Sequence, residues 1–246
     1  MWILFWLSWI LMHVGSECET RMRIAIAGGG GREDSVRIDR YFAGWLGGEG
    51  TLLYIPVALG WPRARYAEAY DWIRGVFKPH GLSRIHMWTS LEDHRADELF
   101  DFAGVYLGGG NTFWLLDLLR RTRFDAALVA RASANYPIYG GSAGAVVLGE
   151  DIATVDHLDV NEVGITDTKG LGLLDGASIW VHYEDDQRHR VDAYRQSHPE
   201  DLLVMTERSG IVLEADTCLS VGYEPAFCVD EAGWHRLSET GDGVRS

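Results

Sequence analysis

The sequence predicts an α/β fold: a mostly parallel central sheet with helices on both faces, and a small C-terminal antiparallel appendage. Three observations predict it. Short, continuously apolar runs bounded by turn signals recur along the chain, helix-period stretches lie between several of them, and glycine-rich turns close three of the runs. Strands that are apolar throughout, alternating with helices, are what a parallel sheet buried on both faces requires.

Taken in order, residues 1–12 form an almost unbroken apolar run, Met-Trp-Ile-Leu-Phe-Trp-Leu-Ser-Trp-Ile-Leu-Met. A bilayer span needs about 20 apolar residues, so no stable membrane span is expected. The run has the length of a signal-peptide core, yet no Lys or Arg precedes it and no clear small-x-small site stands before Gly15-Ser16. It reads either as an upstream tail on a fold that begins near Met22, or as an export or membrane-associating segment. The missing positive n-region favours a cytoplasmic protein.

Apolar runs at 23–27, 51–59, 84–88, 103–107, 137–140, 178–183 and 202–206 are the predicted strands. Helical periodicity marks 63–78, 112–121, 123–135 and 185–197. Pro62 opens the first of these helices, and Lys78-Pro79-His80-Gly81 ends it. Segments 211–213 and 217–223 pattern as a hairpin, and 227–236 adds a further short strand. With no repeat or composition break inside 23–246, the expected organisation is an extension over 1–21 and an α/β domain over 22–246.

Composition excludes several function classes. At 47% hydrophobic and 24% charged, the 246 residues can build a sizeable core, which a disordered chain cannot. Twenty-two basic against 36 acidic residues give a net charge of −14, which repels a phosphate backbone, so no nucleic-acid partner is expected. Cys18, Cys218 and Cys228 are too few and too scattered for a disulfide framework or a structural zinc site, and neither metal nor cofactor is expected.

The glycine turns carry the chemistry, because open α/β sheets bind ligands at strand carboxyl ends. Gly28–Gly31 fails as a dinucleotide fingerprint: Glu33 takes the third glycine position, and Glu33-Asp34 would repel a pyrophosphate. A tight turn or a close backbone approach is the better reading. Gly108-Gly109-Gly110-Asn111-Thr112 runs from a strand into a helix that Asn111 or Thr112 can cap. Its unpaired N–H groups form a cradle for an anion or oxyanion. Gly140-Gly141-Ser142-Ala143-Gly144 is G-x-S-x-G between a strand and the helical Ala145–Leu148, the pattern of a nucleophile elbow. Small neighbours let the backbone fold tightly under Ser142, and the Ala143 N–H can help to hold an oxyanion.

A serine nucleophile needs a base, and the base needs an orienting acid. Of nine histidines, His182 closes the apolar strand 178–183 at the edge where the glycine turns converge. Metal binding by His182 with His189 is disfavoured, since a spacing of seven across a strand–helix junction has no ligand logic. Glu184, Asp185 and Asp186 follow His182 too closely to fold back, and suit the start of the next helix. Glu207, between the strand 202–206 and the Ser209-Gly210 turn, is better placed. The order Ser, His, Glu argues against an α/β-hydrolase, which runs Ser, acid, His.

Three motifs in register, Gly108-Gly109-Gly110-Asn111-Thr112-Phe113, Gly141-Ser142-Ala143-Gly144-Ala145 and His182-Tyr183, resemble those of the peptidase E and cyanophycinase family of serine peptidases. The likeness covers about 23–225. It implies a class I glutamine amidotransferase-like fold, flavodoxin-like and three-layered, with serine in place of the elbow cysteine. It also implies Ser142 as nucleophile, His182 as base, Glu207 as acid, and an oxyanion hole from Gly109 or Gly110 with Ala143. Asn111, Thr112 and Arg188 are the candidate substrate contacts. Peptidase E proper carries an arginine, at the end of a long loop after the histidine, that recognises an N-terminal aspartate. Here that segment is short and acidic, Glu184-Asp185-Asp186, and Arg188 and Arg190 fall by register on the next helix. The expected function is therefore hydrolysis of small peptides through an acyl-enzyme, without aspartate specificity; a homodimer is compatible with it. The rival is a non-catalytic amidotransferase-like domain that binds a small metabolite or a partner protein.

Overall fold

The computed structural model describes residues 22–60, 64–215 and 217–239, so the expected extension over 1–21 lies outside the described residues. The first strand, β1 (Arg23–Ala27), is followed by α1 (Val36–Leu46), β2 (Leu52–Ile55), α2 (Ala64–Phe77), β3 (Ile85–Met87) and β4 (Gly104–Leu107). Next come α3 (Thr112–Thr122), α4 (Phe124–Ser133), β5 (Pro137–Gly141), the single turn α5 (Ala143–Val146) and β6 (Ser178–Trp180). The last described elements are α6 (Arg188–Ser197), β7 (Leu202–Val204), β8 (Gly210–Glu214), β9 (Thr217–Ser220), β10 (Phe227–Asp230) and β11 (Gly233–Arg236).

Seven strands form the main sheet in the order β3-β2-β4-β5-β1-β8-β9. From β3 to β1 all pairings are parallel, and β8 and β9 add antiparallel beyond β1. The hairpin expected over 211–223 thus extends the main sheet rather than standing apart from it. The runs 178–183 and 202–206 do not join the main sheet. Their strands, β6 and β7, pair parallel with each other in a second sheet of order β11-β10-β7-β6. An apolar run reports burial, not which neighbour a strand will choose.

Alternation along the buried strands feeds two cores. Ile24 and Ile26 of β1 face one side with Leu53, Val105, Leu107 and Ile138, under α3 and α4. Ala25 and Ala27 face the other, where Ile38 and Phe42 of α1 and Ile73 and Phe77 of α2 close over Tyr54, Tyr106 and Tyr139. Burying each such large side chain contributes about 1.5–3 kcal/mol. Helix α1, not delimited by the sequence pattern, belongs to this second layer. Its buried face includes Asp39, only 1% exposed, and a charged residue there interrupts the apolar stripe that would announce the helix.

Candidate active site

Strands β4, β5 and β1 are neighbours, so their carboxyl ends deliver the three glycine turns to one place. Ser142 follows β5 directly, at φ 50° and ψ −114°. A non-glycine residue held in so sparse a region costs of order 1–3 kcal/mol and persists only where its surroundings fix it. They do fix it. The Ser142 N–H donates to the Ala27 carbonyl at 3.1 Å, and the Ser142 carbonyl accepts from the Ala145 and Val146 N–H groups. Gly144 is obligatory in this turn, because a β-carbon there would fall 2.1 Å from the Leu107 carbonyl oxygen.

His182 lies just beyond β6, also at a positive φ, 52°. Its N–H donates to the Gly28 carbonyl at 3.1 Å, and the next residue, Tyr183, donates to Met205 at 2.9 Å. The turn after β1 and the end of β7 therefore clamp the histidine from two sides. Ser142 Oγ is 2.8 Å from His182 Nε2, and His182 Nδ1 is 2.9 Å from Glu207 Oε1. Glu207 sits in the turn 206–209, which is held by Thr206 N–H donating to Ser209 Oγ at 2.7 Å and by Thr206 Oγ1 donating to Glu224 at 2.6 Å. Its neighbour Arg208 pairs with Asp34 at 3.3 Å, tying this turn to the glycine loop behind the histidine.

Gly109 faces the serine closely: a β-carbon on it would lie 3.3 Å from Ser142 Cβ. Among the described residues no backbone carbonyl accepts from the N–H groups of Gly109 or Ala143. Gly110 instead turns at φ 138° against Ala58, outside the cavity lining.

The three expected substrate contacts are placed elsewhere. Asn111 caps α3, its Oδ1 accepting from Trp114 N–H at 2.9 Å while its Nδ2 donates to the Val160 carbonyl. Thr112 is buried, and its N–H donates to Asp159 at 2.7 Å. Arg188 lies over the Trp234 ring, 4.3 Å from its centroid. A capping role accounts for the first two, and an aromatic partner on the second sheet holds the third.

Ser142, His182 and Gly109 open instead on a cavity of about 700 Å³ walled by Tyr54, Tyr106, Trp72 and Leu59, and lined also by Arg32, Arg65 and Glu68. Sequence reasoning missed these walls, although two signals for them exist. Residues 65, 68, 69 and 72 fall at i, i+3, i+4 and i+7 of α2, and so share one face. Tyr54, Tyr106 and Tyr139 occupy the same register on adjacent strands.

The model of peptidase family S51 matches residues 24–223, which include Ser142, His182, Glu207 and the cavity lining. The chain belongs to that family. An uncharacterized peptidase of Listeria monocytogenes is 35% identical over 83 residues, 33% of this chain and 40% of its own length. Peptidase E of Streptomyces coelicolor is 27% identical over 129 residues, 50% of this chain and 53% of its own. The chain thus spans about half the length, or less, of these curated relatives. Two solved structures share the fold. A peptidase from an acI-B1 actinobacterium superimposes with a TM-score of 0.69 at 16% identity, covering 91% of this chain and 97% of its own. A candidate peptidase E from Listeria monocytogenes gives 0.66 at 22%, covering 83% and 100%. Among the described residues of this S51 member, no helix is long and apolar enough to cross a membrane.

Proposed function

We propose that this S51 member is a serine peptidase that hydrolyses small peptides through an acyl-enzyme on Ser142. The observation that carries the reading is the unbroken series of two hydrogen-bond contacts, Ser142 to His182 at 2.8 Å and His182 to Glu207 at 2.9 Å, on a serine held in an elbow.

With its proton on Nδ1 and directed at Glu207, the imidazole offers a lone pair at Nε2 to the Ser142 hydroxyl. Oγ attacks the scissile carbonyl carbon as its proton passes to Nε2. The carbonyl oxygen becomes an oxyanion, which the Gly109 and Ala143 N–H groups can stabilise. Collapse breaks the C–N bond, the amine leaves with the proton from Nε2, and Ser142 keeps the acyl group as an ester. Water, deprotonated by His182, then cleaves the ester and restores the serine. Glu207 keeps the ring oriented and stabilises the imidazolium.

Aspartate specificity is not part of this reading, because Arg188, the cation nearest the histidine in sequence, is spent on Trp234. The test is labelling by a fluorophosphonate, with hydrolysis of a dipeptide panel followed by amine release. An adduct on Ser142 and turnover that is lost in Ser142→Ala support the proposal. A folded protein that neither labels nor hydrolyses leaves the rival, a binding domain.

A further inference from the structure

We infer that the cavity beside Ser142 is the pocket for the side chain of the acyl-donating residue, and that it selects a bulky, uncharged aromatic or aliphatic one. The inference rests on the peptidase reading of the same site and names its substrate class.

The pocket is built from the sheet. Strands β2 and β4 pair Tyr54 with Tyr106, and the two rings meet edge-on with centroids 5.5 Å apart. The half-buried Trp72, at the C-terminal end of the α2 stripe, meets Tyr106 edge-on at 6.2 Å. Tyr106 is held from behind by Tyr139, stacked at 4.3 Å, whose hydroxyl donates to the buried Asp39 at 2.8 Å. The result is an aromatic corner packed ring against ring.

Its position relative to the reacting atoms decides which half of the substrate it takes. The corner touches the oxyanion side of the site: β-carbons at Gly141 and Gly108 would fall 2.6 and 3.3 Å from the hydroxyl oxygens of Tyr106 and Tyr54. His182, which must protonate the leaving amine, lies against Gly29, and both line the same cavity. The leaving group therefore points toward His182, and the residue that keeps the carbonyl points into the rings.

The charges on the walls decide its chemistry. Ring faces carry negative potential and repel a carboxylate, which would also lose its hydration there. A cation would be attracted to the rings but faces Arg32 and Arg65 across the same cavity, with Glu68 the one acidic residue among the described lining residues. Arg32 donates to the Asp71 carbonyl at 3.0 Å and lies flat on Gly75, while Arg65 points to the Leu59 carbonyl at 3.5 Å.

The experiment compares kcat/KM for dipeptides Phe-Ala, Leu-Ala, Ala-Ala, Asp-Ala and Lys-Ala, with fluorophosphonate labelling of Ser142 run in parallel. Expected is a preference of at least about tenfold for Phe-Ala and Leu-Ala over Asp-Ala and Lys-Ala. Trp72→Ala should lower the Phe-Ala value at least about tenfold more than the Ala-Ala value. Leu59→Trp, filling the same space from another wall, should narrow the same ratio. A labelled Ser142 with Asp-Ala or Lys-Ala preferred, with a flat panel, or with both variants affecting all substrates equally overturns the pocket assignment and leaves the peptidase reading standing. Neither labelling nor hydrolysis overturns both.

Discussion

The imidazole of His182 rests on Gly29 so closely that a β-carbon there would lie 2.2 Å from Cε1 and 2.7 Å from Nδ1. Gly29 is also at φ 127°, a conformation that L side chains rarely adopt. The first glycine turn thus shapes the site: Gly29 is the floor on which the ring lies.

Gly29→Ala is accordingly expected to displace the ring from both of its hydrogen-bond partners. A displacement of about 1 Å in a catalytic group can cost on the order of 10²-fold in rate. The loss should fall on kcat, with the melting temperature showing how much is backbone strain. Activity within threefold of the parent would mean that the ring is not placed by this contact.

At the elbow two substitutions separate chemistry from strain. Ser142→Ala should abolish hydrolysis, since losing such a nucleophile costs on the order of 10⁶-fold in kcat. Its stability should match the parent, because alanine keeps the β-carbon and the strained φ of 50°. Ser142→Gly, equally inactive, releases that strain and should melt higher; about 1 kcal/mol corresponds to roughly 2–4 °C in a chain of this size. Equal melting temperatures for the two variants would show that the elbow stores no strain at this residue.

Glu207 is 57% exposed and His182 31%, so water can partly replace the carboxylate at Nδ1. Glu207→Gln should therefore reduce kcat on the order of 10²-fold, less than the roughly 10⁴-fold known for a buried orienting aspartate. KM should change little, because the imidazolium forms only as the reaction proceeds. A silent Gln variant would remove Glu207 from the mechanism. Asp159 is then a poor substitute, since its carboxylate already accepts from the Thr112 N–H at 2.7 Å.

What the sequence made legible was local, and what it hid was relational. The elbow around Ser142 and the glycines before Asn111 are written in consecutive residues, since a tight strand-to-helix turn leaves little choice of side chain. Their convergence follows from parallel strands ending at one edge. The partners of β6, β7 and β8 were not legible, because an apolar strand fits any buried edge equally well. Nor was the role of Gly29, since the atom that excludes a side chain there belongs to a residue more than 150 positions away. Nor are the partners of Asn111, Thr112 and Arg188, the expected substrate contacts, legible in the sequence. Asn111 caps α3, the Thr112 N–H donates to Asp159, and Arg188 lies over Trp234.

Asp39 gives the last prediction. Its carboxylate is buried under α1, accepting from Ser35 Oγ at 2.7 Å and from Tyr139 Oη at 2.8 Å. Desolvation outweighs these two bonds and pushes the carboxyl from its ordinary 3.8 up to about 7. The folded state therefore holds a proton that the unfolded chain has already released between those two values. Stability must then fall as pH rises across that window, with a slope approaching about 1.4 kcal/mol per pH unit from this one group. Below the window the carboxyl is neutral in both states and contributes no pH dependence; above it the full cost of a buried charge is present. Asp39→Asn removes the titration while keeping the shape. Denaturant unfolding of parent and variant at pH 4 and pH 8 isolates the effect from the remaining acidic residues, which the two proteins share. The variant should gain on the parent as pH rises. A difference in stability that stays constant from pH 4 to 8 would mean that Asp39 ionises in the folded protein as freely as in the unfolded chain.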